Sequence, residues 1–192
     1  MDEERKIQHT ELFKISKNFR GRSAVVVQLW WIVQSTLFYM SPQFLYGWRR
    51  FLLRAFGAKV GRGVIIRPTA RITYPWKLKI DDHAWIGDYA EIYNLADIHI
   101  EKRAVVSQYA YICTGSHDAD AVGFDIFAKP IKICESSWIA TGAFVHPGVT
   151  IGKYSVVSAR SIVRKNTEEF GVYAGEPLRK IRDRRFKAAG GQ

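Results

Sequence analysis

ICESSWIATGAFVHPGVTIGKYSVVSARSIV, residues 133–163, places an aliphatic side chain at every sixth position: Ile133, Ile139, Val145, Ile151, Val157 and Val163. The same spacing runs backward through Ile112, Val106 and Ile100, through Ile92, Ile86 and Ile80, and through Ile72, Ile66 and Val60. These fifteen positions fall into five groups of three, and every gap longer than six lies between groups. A second period accompanies the first. Two residues before the aliphatic, small or short side chains dominate: Ala70, Ala84, Ala90, Ala104, Ala110, Ser137, Ala143, Val149, Ser155 and Ser161.

Six residues make one short strand and a corner, and three such units close a triangular coil. Coils stack about 4.8 Å apart, with their aliphatics pointing inward as one column. The sequence therefore predicts an all-β fold, a parallel β-helix of about five triangular coils. Gly61, Gly87 and Gly152 follow inward aliphatics, where a chain turning a corner needs a permissive backbone. A stack of coils has two open ends, and open strand edges need covering. The expected organisation is an N-terminal helical, apolar extension over 1–56, the β-helix over 57–167, and a basic tail with a short helix (178–187) over 168–192.

One interruption breaks the period. Between Ile112 and Ile133 the chain reads CTGSHDADAVGFDIFAKPIK, an excursion over 114–130 with His117 near its start. Function concentrates on loops held by rigid scaffolds. Asn94 and Thr114 each lie two residues past a repeat aliphatic, so they should stack one coil apart. Asn94 is then expected to face the same groove as His117, an arrangement suited to acyl transfer. His146, just after Val145, is expected to point out beside that groove.

Composition bounds the alternatives. Net charge is +11, and its surplus sits at the ends: nine basic and four acidic residues in 1–56, eleven and ten in 57–159, nine and four in 160–192. Basic ends suit an anionic membrane surface or a phosphorylated ligand. No nucleic-acid-binding motif accompanies the charge, so no nucleic acid partner is expected. Cys113 and Cys134 are too few for a disulfide framework and are read as reduced thiols, which fits a cytoplasmic protein. The first residues are polar and show no secretory signal. The apolar stretch 24–40, AVVVQLWWIVQSTLFYM, falls short of a spanning helix. It packs on the protein or a neighbouring subunit, or it lies at a membrane interface between flanking arginines as a peripheral contact. No metal is expected, because the five histidines include no closely spaced pair.

The repeats, SHD around His117, KPIKI at 129–133, WIATGAFVHPGVTIG at 138–152 and YAGEPLRKIR at 173–182 resemble the hexapeptide-repeat acetyltransferases. Within that family, residues 51–80 and YNLADIHI at 93–100 are similar to the colanic-acid-type exopolysaccharide O-acetyltransferase branch. The resemblance implies a left-handed coil and a homotrimer with acetyl-CoA between subunits. It also implies a saccharide acceptor, free, nucleotide-linked or lipid-linked.

His117 matches the catalytic histidine of the family, a general base that takes the proton of a sugar hydroxyl as it attacks the thioester. Asn94 matches a residue lining the acceptor site. Asp118 or Asp125 is a candidate to orient the ring, because this excursion lacks the family's glutamate. Thr141 and Ala159 match positions that contact the pantetheine arm. Arg164 and Lys165 occupy the family's Thr-Lys pair after the last repeats, Arg179 and Arg182 match its arginines after the AGxP turn, and cations there suit the nucleotide phosphates. Ala140, Arg160 and Glu176 depart from the common residues at their positions. The competing reading is a non-enzymatic scaffold that binds a partner or membrane through its basic ends, with no use for the long excursion.

Overall fold

A computed structural model describes residues 7–187; residues 1–6 and 188–192 of the two extensions lie outside the described residues. The six-residue period becomes three parallel sheets, one per side of a triangular prism. Sheet A stacks Lys59–Val60, Leu78–Ile80, Ile98–Ile100, Ile131–Ile133 and Thr150–Ile151. Sheet B stacks Ile65–Ile66, Trp85–Ile86, Val105–Val106, Trp138–Ile139 and Val156–Val157, and sheet C stacks Arg71–Ile72, Glu91–Tyr93, Tyr111–Cys113, Phe144–Val145 and Ile162–Val163.

Register follows the sequence period. Ile66 pairs with Ile86, Ile86 with Val106, Val106 with Ile139 and Ile139 with Val157. The inward column from Ile66 to Val163 is buried, and so is every small residue two places earlier. Val60, in the first coil, is only half-buried. The small residues let the corners close over the column, where a larger side chain would overfill it.

The corners work differently from the sequence expectation. Gly61, Gly87 and Gly152 do not adopt positive φ. Their requirement is space: a Cβ on Gly87 would sit 2.5 Å from the Gln108 amide nitrogen in the next coil. Backbone cannot yield there, so Gly87→Ala is expected to destabilise the fold by about 1–3 kcal/mol, read as a lower urea midpoint. The left-handed turns fall instead on other corner positions, Gly63, Gly142 and Gly148 among them, but mostly on non-glycine residues, including His83, Arg103, Ser136, Tyr154 and Phe170 at the A/B corner. Each donates its N–H to a carbonyl one coil earlier, as in His83 to Arg62 (2.9 Å) and Arg103 to Asp82 (3.0 Å). At the B/C corner Tyr89 and Tyr109, both at positive φ, stack with centroids 5.1 Å apart. Ladder bonds and stacking offset a conformation that L-residues otherwise avoid.

The N-terminal segment closes the first coil. Helix α1 (Ala24–Val33) runs through a π-helical turn (Gln34–Phe38), and α2 (Tyr46–Ala55) follows. First-coil backbone groups facing away from the second coil would be orphaned, and side chains of this cap satisfy them. Trp30 Nε1 donates to Ile72 O (2.8 Å), and Gln34 Oε1 accepts from Ile72 N (2.7 Å). Arg49 Nε reaches Ile66 O (2.7 Å), Arg50 reaches Val64 O (2.8 Å), and Arg54 Nε reaches Val60 O (2.9 Å). All three edge strands are thereby blocked from pairing with another chain.

At the other end the expected C-terminal helix is a strand. Arg179–Asp183 pairs antiparallel with Gly171–Ala174, which itself extends sheet B. Gly175, at φ +88°, reverses the chain between them. The segment 178–187 has only Leu178, Ile181 and Phe186 as large apolar residues, too few for a packed helix. A lone ten-residue helix is marginal in water, whereas an open strand edge offers hydrogen bonds at once.

Candidate active site

The excursion leaves the prism at the C/A corner, after Tyr111–Cys113 and before Ile131–Ile133. It is an antiparallel hairpin, Gly115–His117 paired with Ile126–Ala128, with His117 opposite Ile126. Its base is closed by Lys129 N to Thr114 O (2.8 Å). Gly115 is required by close approach, since a Cβ there would lie 2.5 Å from Leu95 Cδ1.

His117 is half-buried at the hairpin end, and its Nδ1 lies 2.7 Å from the Phe124 carbonyl oxygen. A carbonyl can only accept, so Nδ1 carries the proton and Nε2 is left with its lone pair. The ring lies flat on Phe124, with centroids 4.0 Å apart and planes at 6°. Phe13 of the N-terminal segment tilts against it at 5.5 Å, held there as His9 N donates to Val122 O (2.7 Å). Phe124 itself is at φ +52°, backbone strain at the residue that fixes the ring.

The orienting group is therefore a backbone carbonyl. The Asp118 carboxylate instead accepts from Asp120 N (3.0 Å), and Asp125 O accepts from Asp118 N (2.8 Å). Asn94 also departs from expectation. It is fully buried, with Oδ1 accepting from Tyr74 N (2.9 Å) and Nδ2 donating to Tyr74 O (2.6 Å). Both polar atoms are committed to the previous coil, so Asn94 braces the corner and presents nothing to a groove. Thr114 stacks above it and is likewise spent, donating to Tyr93 O and accepting from Ala96 N.

The remaining candidates divide between two edges. His146, Arg164 and Lys165 line the C/A edge in the coils above His117. Burial first, and then the Arg164 charge, hold the His146 imidazole below its ordinary range. Arg164 pairs with Glu176, the residue that departs from the family pattern, so its charge is shared. Thr141 and Ala159 occupy the B/C edge in successive coils, linked through Arg160 N to Thr141 O (2.9 Å). Arg179 and Arg182 sit exposed on the outer strand of sheet B.

Sheet B carries a feature that sequence reasoning missed. An open groove of about 1190 Å³ is lined by Trp85, Tyr89, Tyr109, Trp138, Arg103 and Phe186, among others. Trp85 and Trp138 are about half exposed, and Trp138 Nε1 donates to Ser107 Oγ (2.8 Å). The signal was available: the residue before each inward aliphatic points outward. Along sheet A that series is Lys59, Lys79, His99, Lys132, Thr150, whereas along sheet B it is Ile65, Trp85, Val105, Trp138, Val156. One side reads as solvated and the other as covered. The groove has the size and apolar lining of a small-molecule site. With Arg103 and Arg184 at its margin it also suits a ligand with an apolar arm and phosphates.

Cys113, beside the hairpin base, is buried and donates to Gly115 O (3.0 Å), and burial pushes its thiol up, so it is a poor nucleophile. Among the described residues no group of three or more His, Cys, Asp or Glu side chains is placed to hold a metal ion.

No family model matches the chain. The protein named colanic acid biosynthesis acetyltransferase WcaF, from Escherichia coli K12, is 54% identical over 172 residues, which cover 90% of this chain and 94% of that one. Nodulation protein L of Rhizobium meliloti is 31% identical over 136 residues, 69% of this chain and 73% of its own. Among solved structures, the hexapeptide-repeat acetyltransferase VCA0836 of Vibrio cholerae with acetyl-coenzyme A superposes with a TM-score of 0.77 at 23% identity, covering 97% of this chain and 100% of that chain. A galactoside acetyltransferase in complex with coenzyme A gives a TM-score of 0.77 at 21% identity, covering 88% and 84%. The prism, its hairpin and these likenesses agree: the chain belongs to the hexapeptide-repeat acetyltransferases with a left-handed β-helix, in the colanic acid biosynthesis branch.

Proposed function

We propose that the protein transfers an acetyl group from acetyl-CoA to a hydroxyl of a saccharide used in cell-surface polysaccharide synthesis. The observation that carries this reading is the His117 ring, whose Nδ1 is pinned to a carbonyl so that Nε2 can accept a proton. The acceptor hydroxyl loses its proton to Nε2 as its oxygen attacks the thioester carbonyl. The tetrahedral centre then collapses, the C–S bond breaks, and the leaving coenzyme sulfur takes the proton held on Nε2, which restores the neutral imidazole. Direct transfer needs no acyl-enzyme, in keeping with the raised pKa of Cys113.

The working form is a homotrimer in the cytoplasm. Within one chain Thr141 and Ala159 lie on the B/C edge and His117 on the C/A edge. Packing sheet C of one copy beside sheet B of the next brings the hairpin of the first to the groove of the second. That arrangement also covers the apolar outer series of sheet B. In this reading Thr141 and Ala159 offer backbone groups to the pantetheine arm. Lys165, Arg179 and Arg182, with Arg164 partly screened by Glu176, face the nucleotide phosphates. Asp118 shapes the hairpin and Asn94 the corner; neither touches a substrate.

The test is thiol release from acetyl-CoA in the presence of free, nucleotide-linked or lipid-linked saccharides, with mass spectrometry of the product. Release that depends on one of these acceptors, with the acetylated saccharide recovered, is expected. A rate unaffected by every acceptor would favour the scaffold reading. Sedimentation equilibrium is expected to give three times the chain mass, and a monomer would remove the shared site.

A further inference from the structure

We infer that the capped N-terminal end of the prism docks on an anionic lipid bilayer, with α1 lying in the plane of the interface. Helix α1 turns Val27 and Trp30 toward the prism, and Phe38 continues that buried side. At about 100° per residue the opposite side belongs to Val25, Leu29 and Ile32. In a helix on the surface of a water-soluble domain that side is polar. Here Val25 is 76% exposed, Leu29 50% and Ile32 60%, and no charged residue occurs between Ala24 and Met40. Beyond the helix the apolar surface continues through Met40, at 77% exposure, and Phe44, at 75%. Trp48 joins it by donating to Leu37 O (3.0 Å) and stacking on Phe51 at 5.7 Å.

Two further observations choose the occupant. Residues 12–77, which form the cap and the first coil, contain twelve lysines and arginines and no aspartate or glutamate, and of these Arg62 and Arg67 pair with Asp82 and Asp88 of the second coil. Lys14, Lys17 and Arg22 are exposed close to the start of α1. An apolar stripe bordered by cations of one sign matches the interfacial region of a bilayer with anionic headgroups. Position supplies the second observation. Trp30 and Gln34 bond to the first-coil strand of sheet C, and Arg49 and Arg54 of α2 bond to those of sheets B and A, so the cap sits over the open end of the coil stack. A ring of copies joined through sheets B and C, as proposed above, leaves this pole uncovered. It also sets three such faces in one plane, which multiplies a weak single contact. Among the described residues no helix is long and apolar enough to cross a membrane, so the contact is one of lying on the surface.

The experiment is flotation of the full-length protein with phosphatidylcholine vesicles containing about one third phosphatidylglycerol, and with pure phosphatidylcholine vesicles. Wild type is expected to float with the anionic vesicles at least about tenfold more than with the neutral ones, and to be released by high salt. The exposed double variant Leu29→Asp/Ile32→Asp is expected to lose at least about tenfold of that partition while keeping wild-type acetyl-CoA binding. Equal partition of variant and wild type overturns the proposal, as does wild type that never floats. So does a concentration-dependent pairing of particles through this pole that the double variant abolishes, because the occupant is then a second copy. Transfer to a water-soluble saccharide reports separately on the proposed activity and does not depend on the vesicle result.

Discussion

His117→Ala is expected to lower acetyl transfer to a saccharide by about 10²–10⁴-fold while acetyl-CoA binding stays within about threefold of wild type. The asymmetry follows from where the ring sits. His117 is carried on a hairpin and held by Phe124 O and two aromatic rings, while the groove on sheet B is lined by no residue of that hairpin. Losing the imidazole removes the proton acceptor and leaves the groove intact. Steady-state thiol release at saturating donor, with calorimetric titration of coenzyme A, separates the two effects. Unchanged turnover in the alanine variant would show that the proton leaves by another route.

Arg49→Met is expected to have the largest effect on stability, lowering it by about 3–5 kcal/mol through the loss of two buried, charge-assisted hydrogen bonds. Arg49 is buried, and its donors serve Ile66 O, Ser41 Oγ (2.7 Å), Pro42 O (2.9 Å) and Gln43 O. Burial holds its guanidinium below the ordinary range, and among the described residues no carboxylate touches it directly. Its stability contribution therefore comes from hydrogen bonds, and from the Tyr46 ring 5.1 Å away. Methionine matches the stem but leaves these acceptors without partners and frees the first strand of sheet B. The exposed Arg54→Met, which strips carbonyls that water can reach, should cost less than about 1 kcal/mol. Thermal unfolding of both variants checks the contrast, with a midpoint drop of about 10 °C for Arg49→Met. Equal midpoints for the two would mean that the cap is held by its apolar contacts alone.

Much of the prism could be read directly from residue spacing. A column that repeats every six positions needs no long-range information, because each coil is a copy of its neighbour and the register is set by the period itself. Ile66, Ile86, Val106, Ile139 and Val157 therefore met where counting put them. The excursion was equally legible, as the longest of the gaps where the count of six fails.

What escaped depends on contacts that spacing does not encode. Gly87 looked like a turn residue and is instead a clearance, a distinction visible only once Gln108 lies above it. Asn94 has the same offset as Thr114, but offset does not say whether an amide points into the corner or out of it. Tyr74 backbone settles that by offering both a donor and an acceptor. Phe124 carried no signal, since a phenylalanine at positive φ is disfavoured locally and persists through its contact with His117. Segment 178–187 misled because its charges suit a helix end, while the free edge of Gly171–Ala174 captured it. The Trp85 and Trp138 series, by contrast, was readable in the sequence and marks the covered side of the prism.

A structure of the protein crystallised with coenzyme A tests most directly the geometry on which the proposed chemistry rests. The sulfur is expected in the sheet-B groove beside Trp138, with the site of the acetyl carbonyl about 3–3.5 Å from a position that an acceptor oxygen bonded to His117 Nε2 can occupy. The hairpin of an adjoining copy is expected to supply that histidine. Coenzyme bound with its sulfur remote from every His117 hairpin in the assembly would refute the assignment of this residue as the general base.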